Sequence, residues 1–147
     1  MHLTSPVSKL SLHVMALQIG IGDGSRSYIP VACEPSVDIE DGASYWFLHP
    51  LFVKLATETT QYIDLYGDAT FAGEWLVAFK RMLAEARRLA ETQPDCWEVS
   101  IGTQIMPVQQ ELWRPLNQET LLDLIAAMER VVARAEDLGR PVVCWGD

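Results

Sequence analysis

The sequence predicts an α+β fold in a single domain covering residues 1–147. Two long stretches carry apolar residues at the helical period of 3.6, and several shorter stretches alternate between apolar and polar residues. Each long helical stretch is followed by one of the short, strand-like stretches. A chain of 147 residues with 49% hydrophobic residues can bury one core. We expect a mixed or antiparallel sheet of about five strands, with two long helices and one shorter helix packed on it.

The first third of the chain is predicted to hold two strands. Residues 10–19 are rich in apolar residues on both faces of an extended chain, which indicates a central, buried strand. A turn-rich loop follows over residues 20–30, and a short strand is expected near residues 30–33. Pro35 and an acidic run then interrupt regular structure.

The next stretch predicts the shorter helix, because Tyr45, Leu48, Phe52 and Leu55 follow a 3-4-3 spacing. Its start has two interpretations. Ser44 is a suitable N-cap. Alternatively, the regular helix begins at Pro50, where a proline fits the first turn, and residues 45–48 form an entering turn.

The segment "QYIDLYGDATF" predicts a strand over residues 62–66, closed by a turn at Gly67 and Asp68. Alternation places Ile63 and Leu65 on one face, with Tyr62, Asp64 and Tyr66 on the other. Asp68 is expected to be a turn or capping residue. Asp64 is interpreted as an exposed strand carboxylate or as part of a polar, aromatic contact surface.

The second half gives stronger predictions. Long amphipathic helices are expected over residues 72–91 and 118–138, the latter with Asn117 as N-cap and Gly139 as the C-terminal stop. Between them, residues 96–101 and 107–115 are expected to pair as a β-hairpin. Residues 141–145 predict a short, buried last strand.

Charge constrains the class of partner. The chain carries a net charge of −9, and residues 27–79 carry −7, since Lys54 is their only base. This balance excludes a basic nucleic-acid footprint, disfavours anionic membranes and favours a basic protein partner. The chain contains no stretch of about 18 uninterrupted apolar residues. The three cysteines are scattered, without a CxxC pair, which favours reduced thiols and a cytoplasmic location.

No motif for catalysis, metal binding or cofactor binding is found. His49 has Val53 at i+4 rather than a second ligand, and the "GIGDGS" loop lacks the lysine of a phosphate loop. We therefore expect no cofactor and no metal. The alternative to a binding protein is a small enzyme or ligand-binding domain with a pocket near Asp64 and His49.

Tyrosine and tryptophan are favoured at protein interfaces, and here they occur among acidic residues. This predicts an acidic, aromatic docking surface for a basic protein. Its candidate residues are Asp38, Glu40, Asp41, Tyr45, Trp46, Glu58, Tyr62, Asp64 and Tyr66.

The stretch "YWFLHPLFVKLATETTQYIDLYGDATF", together with the long helix after it, resembles small acidic immunity-type proteins of bacterial toxin systems. The resemblance covers residues 45–101 and rests on an apolar helix, the "YIDLYGD" segment and a second helix. It implies a cytoplasmic, non-enzymatic inhibitor that binds a cognate toxin and occludes its active site, with no residue roles transferred.

Overall fold

The computed structural model describes residues 17–23, 34–104 and 109–146. Within these ranges it contains six strands and three helices, and the α+β class is confirmed. Their order is β1 (Leu17–Ile21), β2 (Val37–Ile39), α1 (Gly42–Thr59), β3 (Asp68–Phe71), α2 (Glu74–Glu91), β4 (Cys96–Gln104), β5 (Gln110–Asn117), α3 (Gln118–Leu138) and β6 (Val142–Gly146).

The strands form two antiparallel sheets rather than the single sheet of about five strands that the sequence predicts. Within the described ranges, four strands pair in the order β2-β1-β6-β3, and β4 pairs with β5. The predicted hairpin is confirmed, but it packs against α1 instead of extending the main sheet. Phe47 on α1 meets Trp97 on β4 edge to face, with ring centroids 5.5 Å apart.

The core lies between the four-stranded sheet and the helices. Alternate residues of β1, namely Leu17, Ile19 and Ile21, are all buried and belong to this core. Helices α2 and α3 lie side by side, and Arg87 forms a bidentate ion pair with Glu129 between them. No helix among the described residues combines the length and the apolarity that a membrane span requires.

The two long helices begin and end close to the predicted residues. The side chain of Asn117 accepts a hydrogen bond from the Thr120 amide at 3.1 Å, as expected of an N-cap. Gly139 ends α3 in the left-handed conformation, with φ of 64°, which glycine adopts without steric cost. The last strand is also confirmed, and it lies inside the sheet between β1 and β3.

Helix α1 differs from both interpretations of its start. Its N-cap is Asp41, whose two oxygens accept hydrogen bonds from the Ala43 amide and the Ser44 hydroxyl, each at 2.9 Å. The helix continues through Pro50, which cannot donate to the carbonyl four residues earlier. With 18 residues α1 is as long as α2, so the prediction of a shorter helix is wrong.

Residues 62–66 are not a strand, although their predicted faces are correct. Ile63 and Leu65 are buried, whereas Tyr62 and Tyr66 are exposed. The segment pairs with no strand among the described residues, because β3 takes the position beside β6. Asp68, predicted to be a turn or capping residue, is instead the first residue of β3.

Several predictions lie wholly or partly outside the described residues. Among them are the strand near residues 30–33, most of the strand at residues 10–19, most of the loop at residues 20–30 and part of the hairpin turn across residues 102–107. Strand β1 begins within the predicted apolar stretch and extends past it to Ile21. The acidic run, predicted to interrupt regular structure, contains β2 and the cap of α1.

Candidate functional site: an acidic, aromatic surface

One flank of α1 carries a cluster of four rings, Tyr45, Trp46, His49 and Tyr62. Trp46 meets the edge of Tyr45 at a centroid distance of 5.1 Å, and its ring lies 4.7 Å from that of His49. The Nε2 atom of His49 shares a 2.8 Å hydrogen bond with the Tyr62 hydroxyl. His49 lies one turn after Trp46 on the same face of the helix, and it contacts Tyr62 where the chain returns after α1.

Tyr45 supports this cluster from its buried side and is not accessible to a partner. Its ring is buried, and its hydroxyl donates a 2.9 Å hydrogen bond to the Ile63 carbonyl. Burial, reinforced by hydrogen bonding with Tyr62, raises the pKa of Tyr45 well above its ordinary value. The predicted contact role of Tyr45 is therefore replaced by a supporting one, which fixes the path of residues 61–65.

The surroundings of His49 favour its neutral form. Its partial burial among the rings lowers the pKa of the imidazole, and the nearby Asp64 carboxylate opposes that shift only in part. A neutral imidazole leaves the negative charge of Asp64 uncompensated, so this flank of α1 remains acidic.

Tyr62, Asp64 and Tyr66 form the open edge of the cluster. Tyr62 is 40% exposed and Tyr66 is 63% exposed, and Asp64 between them is half-buried. A close backbone contact fixes this segment. A Cβ atom on Gly146 would lie 2.3 Å from the Leu65 carbonyl oxygen, so only glycine at the end of β6 allows the two backbones to meet.

The sheet register extends the acidic surface onto the second face of the main sheet. Asp38, Gln18, Trp145 and Asp68 are direct neighbours across four strands, on the face opposite the buried Leu17 and Ile19. Both aspartates are exposed. Strand spacing places them about 14 Å apart with the Trp145 position between them.

Trp145 and Asp68 are site residues that sequence reasoning missed. The sequence places Trp145 in a buried last strand, and only the pairing of β6 with β1 and β3 sets it between two carboxylate-bearing positions. Alternation within "PVVCW" separates Trp145 from the buried Cys144, but no sequence signal gives the register of strands so distant in the chain.

The five predicted acidic residues, together with Asp68, divide into three groups. Asp41 is committed to capping α1. Glu58 lies on the opposite flank of the helix, with its carboxylate 3.6 Å from Arg81 on α2. The side chains of Asp38, Glu40, Asp64 and Asp68 form no ion pair within residues 17–23, 34–104 and 109–146.

We call the remaining set the acidic–aromatic surface. It consists of Asp38, Glu40, Trp46, His49, Tyr62, Asp64, Tyr66, Asp68 and Trp145. Ring contacts join Trp46, His49 and Tyr62, and the chain continues from Tyr62 to Asp68. The strand register places Asp68, Trp145 and Asp38 side by side on the sheet, and Glu40 follows the end of β2. Its two most exposed rings present apolar area with a polar tip, the chemistry that protein interfaces favour.

Three surface cavities occur among the described residues, and neither Asp64 nor His49 lines any of these three. They are found beside α1 and α2, beside Asn117, and beside Gly73. Across the part of the chain that the structure describes, no group of three or more His, Cys, Asp or Glu side chains is placed to hold a metal ion.

Comparisons with protein-family models, with curated proteins and with solved structures give no match to this chain.

Proposed function

We propose that the protein is a non-enzymatic binding protein that engages a basic protein through the acidic–aromatic surface. The observation that carries the proposal is the pair of exposed tyrosines, Tyr62 and Tyr66, flanking a carboxylate that has no cationic partner in the described chain. Exposed tyrosines contribute contact area at small entropic cost, and an unpaired carboxylate adds orientation and association rate.

The most specific form of the proposal is an immunity protein that neutralises a cognate bacterial toxin. Inhibition requires no chemistry, because a rigid acidic surface seated over a basic active site blocks substrate entry. Tyr45 and Gly146 support such rigidity, since each fixes the path of residues 61–65 from the buried side. Preorganised contacts lose less entropy on binding than mobile ones.

Photo-crosslinking in the host tests the surface and captures the partner in the same experiment. A photoreactive phenylalanine is placed at Tyr66, and in a matched control at Trp113 on β5, which is 48% exposed and lies on the separate hairpin. We expect one protein, with a basic domain, to crosslink at position 66 and not at position 113. Equal capture at both positions, or capture at 113 alone, would contradict the proposed surface.

The inhibitory step needs its own test. The crosslinked protein, once identified, is produced without this chain and assayed for toxicity on expression in the host. Stoichiometric addition of the native chain is expected to abolish its activity. Binding without any loss of activity would retain the docking surface and reject the immunity role.

A further inference from the structure

The opposite flank of α1 borders a cleft with different chemistry. The cleft lies between α1 and α2 and encloses about 220 Å³. Its lining consists of Leu51, Lys54, Leu55, Glu58, Ala78, Arg81, Met82 and Glu85. None of these eight residues belongs to the acidic–aromatic surface.

The floor of the cleft is apolar. Leu55, Ala78 and Met82 are buried in the core, and Leu51 is half-buried at one side. Removing an alkyl or aryl group from water onto such a floor yields about 25 cal/mol for each Å² of apolar area. The volume suits a short chain or a single ring system rather than a peptide segment.

The rim of the cleft offers two cations. Glu85 is held by both Nε and Nη2 of Arg88, at 3.1 and 2.6 Å, so its charge is already neutralised. The Arg81–Glu58 pair is long at 3.6 Å and largely exposed, and such pairs contribute at most about 1 kcal/mol. Lys54 forms no ion pair with any residue that the structure describes.

We propose that this cleft binds a small amphiphilic anion, with a short apolar body on the Leu55–Met82 floor and a carboxylate or sulfonate between Lys54 and Arg81. The charge at the rim favours an anion, because Arg88, outside the lining, pairs with Glu85 and leaves Lys54 and Arg81 opposed by Glu58 alone. Elsewhere the protein is strongly acidic, with a net charge of −9, so anions are repelled from most of its surface. The site is independent of the proposed docking function.

Octanoate serves as the probe, and octyltrimethylammonium, with the same chain and the opposite charge, serves as its control. In ¹H–¹³C NMR titrations, we expect octanoate to shift the methyl signals of Leu51, Leu55 and Met82 saturably. We expect the cation to shift them at least tenfold less at equal concentration, as loss of a charge-assisted contact implies. Equal responses to both probes, or shifts confined to other methyl groups, would overturn the proposal.

Two variants test separately the contacts of the ligand's anionic group and those of its apolar body. Lys54→Ala with Arg81→Ala is expected to weaken octanoate binding about tenfold, while the matched double change Lys80→Ala with Arg134→Ala leaves it within twofold. Lys80 and Arg134 pair with Glu136 and Glu34, outside the cleft. Ala78→Leu is expected to fill the floor and abolish binding, with the remaining NMR spectrum showing the native fold. Undiminished binding in either cleft variant would contradict the site.

Discussion

The two flanks of α1 differ in charge and in how their charges are satisfied. On one flank, Trp46 and His49 meet Tyr62, and the nearby Asp64 has no cationic partner in the described chain. On the other flank, Lys54 and Glu58 face Arg81 on α2 across an apolar floor. Acidic residues that are close in sequence therefore do not form one surface: Asp64, after the helix, lies on the aromatic flank of α1, whereas Glu58 lies on the flank that faces Arg81.

The largest expected effect concerns the backbone contact that fixes residues 64–67. Gly146→Ala places a Cβ atom 2.3–2.5 Å from the backbone of Asp64 and Leu65, so one segment must move. We expect a loss of about 3 kcal/mol in the free energy of unfolding, measured by urea denaturation. Gly67→Ala is the matched control, since its Cβ meets Asp64 only at ordinary distances of 3.5 and 3.7 Å. Equal losses would show that this contact does not fix the segment.

A substitution on the buried side of the ring cluster is expected to lower the free energy of unfolding more than one on its exposed side. Tyr45→Phe removes the donor to the Ile63 carbonyl and leaves that buried acceptor unpaired, at a cost of about 1–2 kcal/mol. Tyr66→Phe changes the same atom on an exposed ring and should alter stability by less than about 0.5 kcal/mol. Thermal and urea unfolding of the two variants check this, and a reversed order would contradict the supporting role of Tyr45.

Two acidic residues, one that caps α1 and one near its C-terminal end, are expected to contribute differently to stability. Asp41→Ala removes the N-cap hydrogen bonds and is expected to cost about 1 kcal/mol in unfolding free energy. Glu58→Gln removes only a long, exposed ion pair and should cost less than about 0.5 kcal/mol. Denaturant titration distinguishes them. A larger loss for Glu58→Gln would mean that the cleft flank, rather than the cap, stabilises the helix.

The smallest expected effect is a pH dependence that belongs to the aromatic flank alone. Because the folded protein lowers the pKa of His49 below 6.5, the unfolded chain binds a proton more readily there. Stability from this residue is present above pH 6.5 and is lost as the pH falls through the lowered pKa. Unfolding curves of native protein and His49→Gln between about pH 8 and 5 isolate the contribution. An unchanged pH dependence in the variant would contradict it.

Sequence periodicity was sufficient to predict the elements whose limits depend on their own residues. Helices α2 and α3 carry complete apolar stripes, and Asn117 and Gly139 mark the ends of α3, so their limits could be predicted. Alternation also gave the correct faces for Ile63 and Leu65. These properties depend on local geometry, which a single sequence contains.

Features that depend on distant pairing could not be predicted. Residues 62–66 alternate as a strand does, but β3 occupies the place beside β6. At the outer edge of β3, the side chain of Gln61 accepts a hydrogen bond from the Thr70 amide. The cap of α1 was misplaced because Asp41 and Ser44 are both good N-caps, and here they bond to each other. Trp145 joined the surface only through strand register, which no local pattern specifies.

The central claim is that the acidic–aromatic surface binds a basic protein, and the affinity of the crosslinked partner tests it most directly. The combined variant Asp38→Asn, Glu40→Gln, Asp64→Asn and Asp68→Asn is compared with Glu98→Gln, Glu111→Gln, Asp123→Asn and Asp137→Asn. Both sets remove four exposed or half-buried carboxylates that form no ion pair among the described residues, and Asp41 is kept because it caps α1.

Calorimetry at about 50 and 300 mM salt gives the dissociation constants. We expect the surface variant to bind at least about tenfold more weakly and with a shallower salt dependence. We expect the dissociation constant of the control variant to stay within about twofold of that of the native chain. Equal weakening in both variants would show that binding depends on the net charge of the chain and not on this surface. An unchanged affinity and salt dependence in the surface variant would contradict binding through the acidic–aromatic surface.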